Sequence, residues 1–228
     1  MDPWAEQRFI REIRVPQPLF FSRMFSVPKK SGKRRPIIDL SLLNRRLKIP
    51  RFKMETIEVI VRTIHGELWG CSVDIVDAYL HLPLGWEFHK FFAFVMGERT
   101  FVFQVLPFGL STAPWAFSRV MKAIKAFCHG NTIWVFSFLD DFLILARSPQ
   151  LLREHTAFVI QVLQSLGFSI NWKKSSLVPL QKMEFLGVML DLRNHTLSVP
   201  QDKITKVMSR CQGYLQQEVT TRRSWRAL

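Results

Sequence analysis

Acidic residues are scarce in this chain: 18 Asp and Glu stand against 32 Lys and Arg over 228 residues, leaving a net charge of +14 at pH 7. Cysteine is nearly absent. Cys71, Cys128 and Cys211 are widely spaced and odd in number, which argues against a disulfide framework or a Cys-based zinc site and for a reducing compartment. Long apolar runs are missing too. The longest, Thr132 to Ala146, is broken by Asp140 and Asp141, so no membrane span and no membrane partner is expected. Met1 to Ile10 is polar and carries Asp2, Glu6 and Arg8, unlike an export signal. An intracellular location, cytoplasm or nucleus, is the expectation. His81 and His89 lack the helical spacing of metal ligands, so packing roles are expected for them. No internal repeat, low-complexity tract or Gly/Ser linker is visible, and the length suits one large domain or two small ones.

What is present narrows this further. A hydrophobic share of 48% excludes a disordered basic tail, which has too little to bury. The positive charge is uneven: Met1–Lys53 holds 14 of the bases and only 4 of the acids. One cluster runs from Lys29 to Arg35, and a second holds Arg45, Arg46, Lys48, Arg51 and Lys53. Such a field attracts polyanions: nucleic acid, nucleotides or an anionic membrane. Pro36-Ile37-Ile38-Asp39-Leu40 follows the first cluster and reads as a strand, which suits a structured basic loop better than a targeting tail.

Periodicity supplies the elements. Glu55 to Ile64 reads as a short helix, and Trp69 to Val76 as a strand ending in acids. Phe91–Val95 and Thr100–Val105 read as a hairpin around Gly97-Glu98. A helix over Pro114–Cys128 has Pro114 in its first turn and buries Phe117, Val120, Met121 and Ile124. Ile133–Phe138 and Phe142–Ala146 form a second hairpin. Ser148-Pro149 starts a helix that Gly167 ends, with Leu152, Val159, Val162, Leu163 and Leu166 inward. Met183–Leu190 and Thr196–Val199 read as a third hairpin. Pro200 opens a last amphipathic helix with Ile204, Val207, Met208, Cys211 and Leu215 on one face. Hairpins interleaved with helices predict an α+β fold, an antiparallel sheet with helices on one face.

The informative feature is acid where a core should be. Asp74 and Asp77 end one apolar strand; Asp140 and Asp141 sit at the tip of an apolar hairpin. Burying unpaired carboxylates costs several kcal/mol, and neither segment contains Lys or Arg. Taken singly, each pair also suits a plain turn or a helix start. Together they favour a divalent cation, and Mg²⁺ prefers oxygen ligands. Two such strands side by side hold two ions roughly 3.5–4 Å apart, an arrangement suited to in-line phosphoryl or nucleotidyl transfer.

Read in order, these segments resemble the reverse transcriptase palm and fingers, from about Phe20 to Lys206. Phe25 to Gly32, then Arg35-Pro36-Ile37-Ile38-Asp39-Leu40 and Leu43-Asn44, look like the fingers block. Val73 to Tyr79 and Leu106 to Pro114 are similar to the first two palm motifs. Phe138-Leu139-Asp140-Asp141 stands at the family's paired Asp, with Phe138 in place of the usual Tyr. Leu166-Gly167-Phe168 with Lys173-Lys174, then Phe185-Leu186-Gly187, resemble the motifs that follow. The wording Pro107-Phe108-Gly109-Leu110-Ser111-Thr112-Ala113-Pro114 is nearer to retrotransposon enzymes, DIRS-type or LTR, than to retroviral ones.

The resemblance implies a right-hand palm with partial fingers. It places an N-terminal segment and basic fingers in 1–70, and a palm in 71–200 with a fingers hairpin inserted at about 85–105. The start of a truncated thumb falls in 201–228, with no room for RNase H, protease, integrase or recombinase. It implies addition of dNTPs to a primer on an RNA or DNA template. Asp74, Asp140, Asp141 and the Ile75 carbonyl would hold two Mg²⁺ ions, or Mn²⁺. Lys30 and Arg35 would contact the triphosphate, and Asp77-Ala78 would approach it with backbone amides. Tyr79 would block a 2′-hydroxyl, and Phe108 and Gly109 would line the nucleotide pocket. Lys174, or Lys173, would protonate pyrophosphate, and Leu186 and Gly187 would contact the primer. An RNA-directed RNA polymerase and a non-catalytic nucleic-acid-binding relic of a mobile element stand as alternatives.

Overall fold

The computed structural model describes residues 9–14, 19–28, 34–52, 54 and 56–215, without the side chains of 28, 34–36 and 63. The chain opens with β1 (Ile10–Ile13), then a hairpin of β2 (Arg23–Pro28) and β3 (Arg34–Asp39), then two short helices, α1 (Ser41–Asn44) and α2 (Ile57–Thr63). Next come β4 (Trp69–Asp74), short 3₁₀ segments at Ala78–His81 and Trp86–Phe91, and the hairpin β5 (Ala93–Met96) and β6 (Arg99–Phe103). The long helix α3 (Ala113–Gly130) leads into β7 (Trp134–Phe138) and β8 (Asp141–Ala146), followed by α4 (Pro149–Ser165). The rest is β9 (Ser176–Leu180), β10 (Lys182–Phe185), β11 (Val188–Asp191), β12 (Thr196–Ser198) and α5 (Gln201–Leu215).

The central sheet has the order β7-β8-β4-β9, and every pair is antiparallel. Side chains alternate across it with the period of a strand. Phe142, Ile144 and Ala146 of β8, with Cys71 and Val73 of β4, face the helices and meet Phe117, Met121 and Ile124 of α3 and Leu152, Val159 and Leu163 of α4. Leu143 and Leu145 face the other way, against Met183, Phe185, Leu190 and Leu192 of the β10-β11-β12 meander and Ile60 and Ile64 near α2. A third cluster joins β1, β3, β5 and β6 through Ile10, Ile38, Phe94, Phe101 and Phe103. Each large side chain buried there contributes about 1.5–3 kcal/mol. The α+β architecture expected from the sequence is therefore the one observed.

Three local readings change. The strand expected over Met183–Leu190 is itself a hairpin, β10–β11, because Leu186 (φ 50°) and Gly187 (φ 74°) make a two-residue turn between paired Phe185 and Val188. Positive φ at both turn positions matches the twist of the flanking strands. Leu166, expected inward, is exposed, since it lies past the last turn of α4. No residue of α5 is buried, and Ile204, Val207, Met208 and Leu215 face outward. Its amphipathic stripe has no partner among the described residues.

Candidate active site

The acids expected to cluster are brought together by strand register. Asp74, the last residue of β4, lies directly opposite Asp141, the first of β8. Opposed residues project to the same face of an antiparallel pair, where like charges repel. Asp140 belongs to the two-residue turn between paired Phe138 and Asp141. Its carbonyl accepts from the Ile75 N–H at 3.0 Å, continuing the ladder past the end of β4. Leu139, the other turn residue, has φ 54°, a conformation that costs a non-glycine residue about 1–2 kcal/mol.

Asp74 is buried, and the segment after α4 wraps round it. The Asn171 N–H donates to the Asp74 carbonyl at 2.8 Å, and the Asp74 N–H donates to Ser175 Oγ at 3.1 Å. Lys174 Nζ lies 3.2 Å from Asp74 Oδ2. The ammonium assigned by resemblance to pyrophosphate thus pairs here with Asp74 itself; Lys173 is exposed. Asp74 Oδ1 is buried and has no hydrogen-bond partner. Burial first, then the charges of Asp140 and Asp74, push the Asp141 carboxyl up to about 6.

An orphaned buried carboxylate oxygen and a carboxyl that resists ionisation beside two others both mark excess negative charge, and all the donors are hard oxygens, the kind Mg²⁺ takes. The donor chemistry thus suits a hard divalent cation, while the side-chain positions do not yet close on one: among the described residues no three His, Cys, Asp or Glu side chains converge closely enough to hold an ion, and Lys174 occupies one oxygen of Asp74.

A cavity of about 320 Å³ opens on this centre, lined by Asp74, Ile75, Asp77, Ala78, Tyr79, Phe108, Asp140, Asn171 and Lys174 among others. Asp77 takes φ 43° and its carbonyl accepts from Leu80 N–H at 2.9 Å, turning the chain into the 3₁₀ turn that carries Tyr79. The Tyr79 ring lies 5.4 Å from Phe108 and edge-on to Phe117 at 5.6 Å. Burial, then the Asp140 charge, raises the Tyr79 phenol, keeping it neutral. Gly109 (φ 94°) follows Phe108, and a Cβ there would sit 3.1 Å from the Ile38 carbonyl. Asp141, Gly109, Leu186 and Gly187 do not line the cavity. Lys203 Nζ donates to the Gly187 carbonyl at 2.7 Å, which fixes the β10–β11 turn to α5. Lys30 lies outside the described residues; the Arg35 backbone pairs with Val27, and its side chain lies outside them.

Sequence reasoning missed a second cavity, of about 380 Å³, lined by Arg51, Trp115, Arg119, Lys122 and Lys125 together with Leu139 of the acidic turn. It gives Arg51, from the unassigned second basic cluster, three cationic neighbours on α3. The spacing of Arg119, Lys122 and Lys125, three residues apart on one helix face, was a legible signal. Asn171 and Ser175 carried none, because their bonds to Asp74 cross about a hundred residues. His81 and His89 do pack: His81 Nε2 accepts from the Ser169 N–H, and His89 Nε2 lies 3.1 Å from the Leu84 carbonyl.

Residues 27–190, more than half of the chain, match the family described as reverse transcriptase (RNA-dependent DNA polymerase). Protein P of Duck hepatitis B virus (strain China) is 26% identical over 176 residues, covering 74% of this chain and 22% of that protein. A polyprotein of Cassava vein mosaic virus is 24% identical over 188 residues, covering 80% of this chain and 28% of its own length. The chain therefore spans about a quarter of these relatives. Its fold is similar to the foamy viral protease-reverse transcriptase in complex with double-stranded DNA, with TM-score 0.80 and 16% identity over 96% of this chain and 36% of that one. The same viral protein in complex with an RNA/DNA hybrid gives TM-score 0.75 over 91% of this chain and 27% of its own. With residues 27–190 matched, the chain belongs to the reverse transcriptase (RNA-dependent DNA polymerase) family.

Proposed function

We propose that this chain is the palm and partial fingers of an RNA-directed DNA polymerase from a retrotransposon-type element, adding dNMPs to a primer 3′-hydroxyl. The observation that carries the reading is the in-register pairing of Asp74 with Asp141 beside Asp140, next to a cavity that Asp74 and Asp140 line together with Tyr79 and Phe108. In the reaction the primer 3′-hydroxyl gives its proton to water, its oxygen bonds to the α-phosphorus, the bond from the α-phosphorus to the bridging β-phosphate oxygen breaks, and pyrophosphate leaves. Asp74, Asp140, Asp141 and the Ile75 carbonyl are the residues that would hold two divalent cations. Bound there, Mg²⁺ or Mn²⁺ supplies charge stabilisation for the phosphoryl oxygens and lowers the pKa of the attacking hydroxyl.

The remaining contributions come from the protein. Tyr79, braced by Phe108 and Phe117, lies under the sugar and leaves no room for a 2′-hydroxyl, which favours this reading over an RNA-directed RNA polymerase. The amides of Asp77 and Ala78, with Lys30 and Arg35, receive the triphosphate. Lys174 exchanges Asp74 for the departing pyrophosphate and gives it a proton. Leu186 and Gly187 meet the primer, and the Arg51–Arg119–Lys122 cavity takes template phosphates. The relatives solved with double-stranded DNA and with an RNA/DNA hybrid support nucleic-acid partners for this chain. Catalysis is then mainly positioning and electrostatic stabilisation. The test is primer extension on an RNA template with Mg²⁺ and dNTPs. Extension that survives Asp74→Asn combined with Asp140→Asn would refute the mechanism.

A further inference from the structure

The Asn44 side chain reaches across the fold to a loop it does not neighbour in sequence. Its Nδ2 donates to the Gly109 carbonyl at 2.8 Å, and its Oδ1 accepts from the Ser111 N–H at 2.9 Å. A carboxamide offers one donor edge and one acceptor edge, and here both go to the peptide groups flanking Leu110, much as a neighbouring strand would bind them. Asn44 is itself well anchored. It ends α1, whose start is held by the Ser41 N–H donating to Asp39 Oδ1 at 3.0 Å, and Leu40 and Leu43 beside it are buried against Leu110 and Ala113. The backbone of β3 closes on the same loop, since the Ile38 carbonyl stands 3.1 Å from where a Gly109 Cβ would be.

The connection joins two parts of the fold. Phe108, just before Gly109, lines the acidic cavity and packs on Tyr79. Asn44 follows closely on β3, whose last residue, Asp39, holds the start of α1. The loop is anchored at Leu106 and Leu110, both buried, and the Ala113 N–H donates to the Leu110 carbonyl at 3.0 Å; the Asn44 carboxamide adds the two hydrogen bonds that hold the Gly109–Ser111 peptides between those anchors.

We propose that Asn44 is a positioning residue: its paired hydrogen bonds set the Gly109–Ser111 loop, and through it the Phe108–Tyr79 wall that selects the incoming sugar. The inference rests on the polymerase reading above. It assigns the link between fingers and nucleotide pocket to one side chain, so its loss falls on nucleotide affinity and sugar choice and spares template–primer binding.

The test compares Asn44→Ala and Asn44→Asp with the unaltered chain. Asn44→Asp keeps the acceptor for Ser111, loses the donor for Gly109 and sets an anion against a carbonyl. Amide hydrogen exchange over 106–113 is expected to accelerate in both variants, whether or not the chain is active. In single-nucleotide incorporation, loss of one or two neutral hydrogen bonds predicts a rise of roughly 5–30-fold in KM for the dNTP. The preference for dNTP over rNTP falls, kcat and template–primer affinity change little, and Asn44→Ala adds almost nothing to Phe108→Ala. Faster exchange with unchanged KM and unchanged sugar preference overturns the inference, as does unchanged exchange. An unaltered chain that neither binds nor incorporates dNTPs overturns the polymerase reading instead, while the exchange result still decides whether Asn44 holds the loop.

Discussion

Asp141→Asn is expected to stabilise the metal-free chain while impairing its response to Mg²⁺. Burial and the charges of Asp140 and Asp74 hold the Asp141 carboxyl at about 6, against an ordinary value of 3.8. Between those values the folded chain binds more protons than the unfolded one, so this group's contribution to stability falls as the pH rises from about 4 to about 6. Linkage sets an upper limit of about 3 kcal/mol on the loss at pH 7. Solvent reaches the half-buried carboxyl and screens the repulsion, which leaves about 1 kcal/mol. Asparagine is neutral at every pH, so the repulsion from Asp140 and Asp74 is absent in the variant throughout. For a chain of this size the gain corresponds to about 2–4 °C in Tm. The assay is thermal unfolding of both proteins in a chelator across pH 3–8. The variant's advantage is absent below about pH 4, grows through the interval and is complete above about 6. Millimolar Mg²⁺ then raises the Tm of the unaltered chain more than that of the variant. A variant no more stable than the unaltered chain at pH 7 without metal, or an advantage that does not change with pH, refutes the reasoning.

Other perturbations follow from the same geometry. Tyr79→Ala removes the ring braced by Phe108 and Phe117, and rNTP incorporation relative to dNTP should rise at least about tenfold, roughly the discrimination available from steric fit in a pocket; an unchanged ratio in single-nucleotide assays counts against the sugar-gate role. Gly187→Ala places a Cβ at φ 74° against Lys203 Nζ and should cost about 1–2 kcal/mol, read as a fall in denaturation midpoint. Arg119→Gln with Lys122→Gln should weaken template–primer binding at low salt and flatten its logarithmic salt dependence by up to about two phosphate contacts, measured by fluorescence anisotropy. Phe117→Ala empties a fully buried position on α3 and should destabilise the chain by about 3–5 kcal/mol in urea unfolding.

Much of the site is legible in the order of residues because its signals are local. Asp74 and the Asp140-Asp141 pair stand out as acids ending apolar runs, and the turn between Phe138 and Asp141 follows from a strand period broken by two residues. The helix α3 is readable from Pro114 and the spacing of Phe117, Met121 and Ile124. The readings that fail are those in which a local pattern has more than one tertiary outcome. An amphipathic stripe on α5 says that a face wants a partner without saying that one is present. The run Met183–Leu190 is continuously strand-like, and only the backbone at Leu186-Gly187 divides it.

By itself, then, the amino-acid sequence determined which side chains are candidates for the chemistry and on which kind of element each sits, since hydrophobic period, turn residues and charge are properties of neighbours along the chain. Only the tertiary structure decided the pairings: Asp74 opposite Asp141, Lys174 on Asp74, Arg51 beside Arg119, and Asn44 on the Gly109–Ser111 loop. These contacts join residues tens to a hundred positions apart. They arise from strand order and from the packing of whole elements against one another, which leaves no periodic trace in the order of residues.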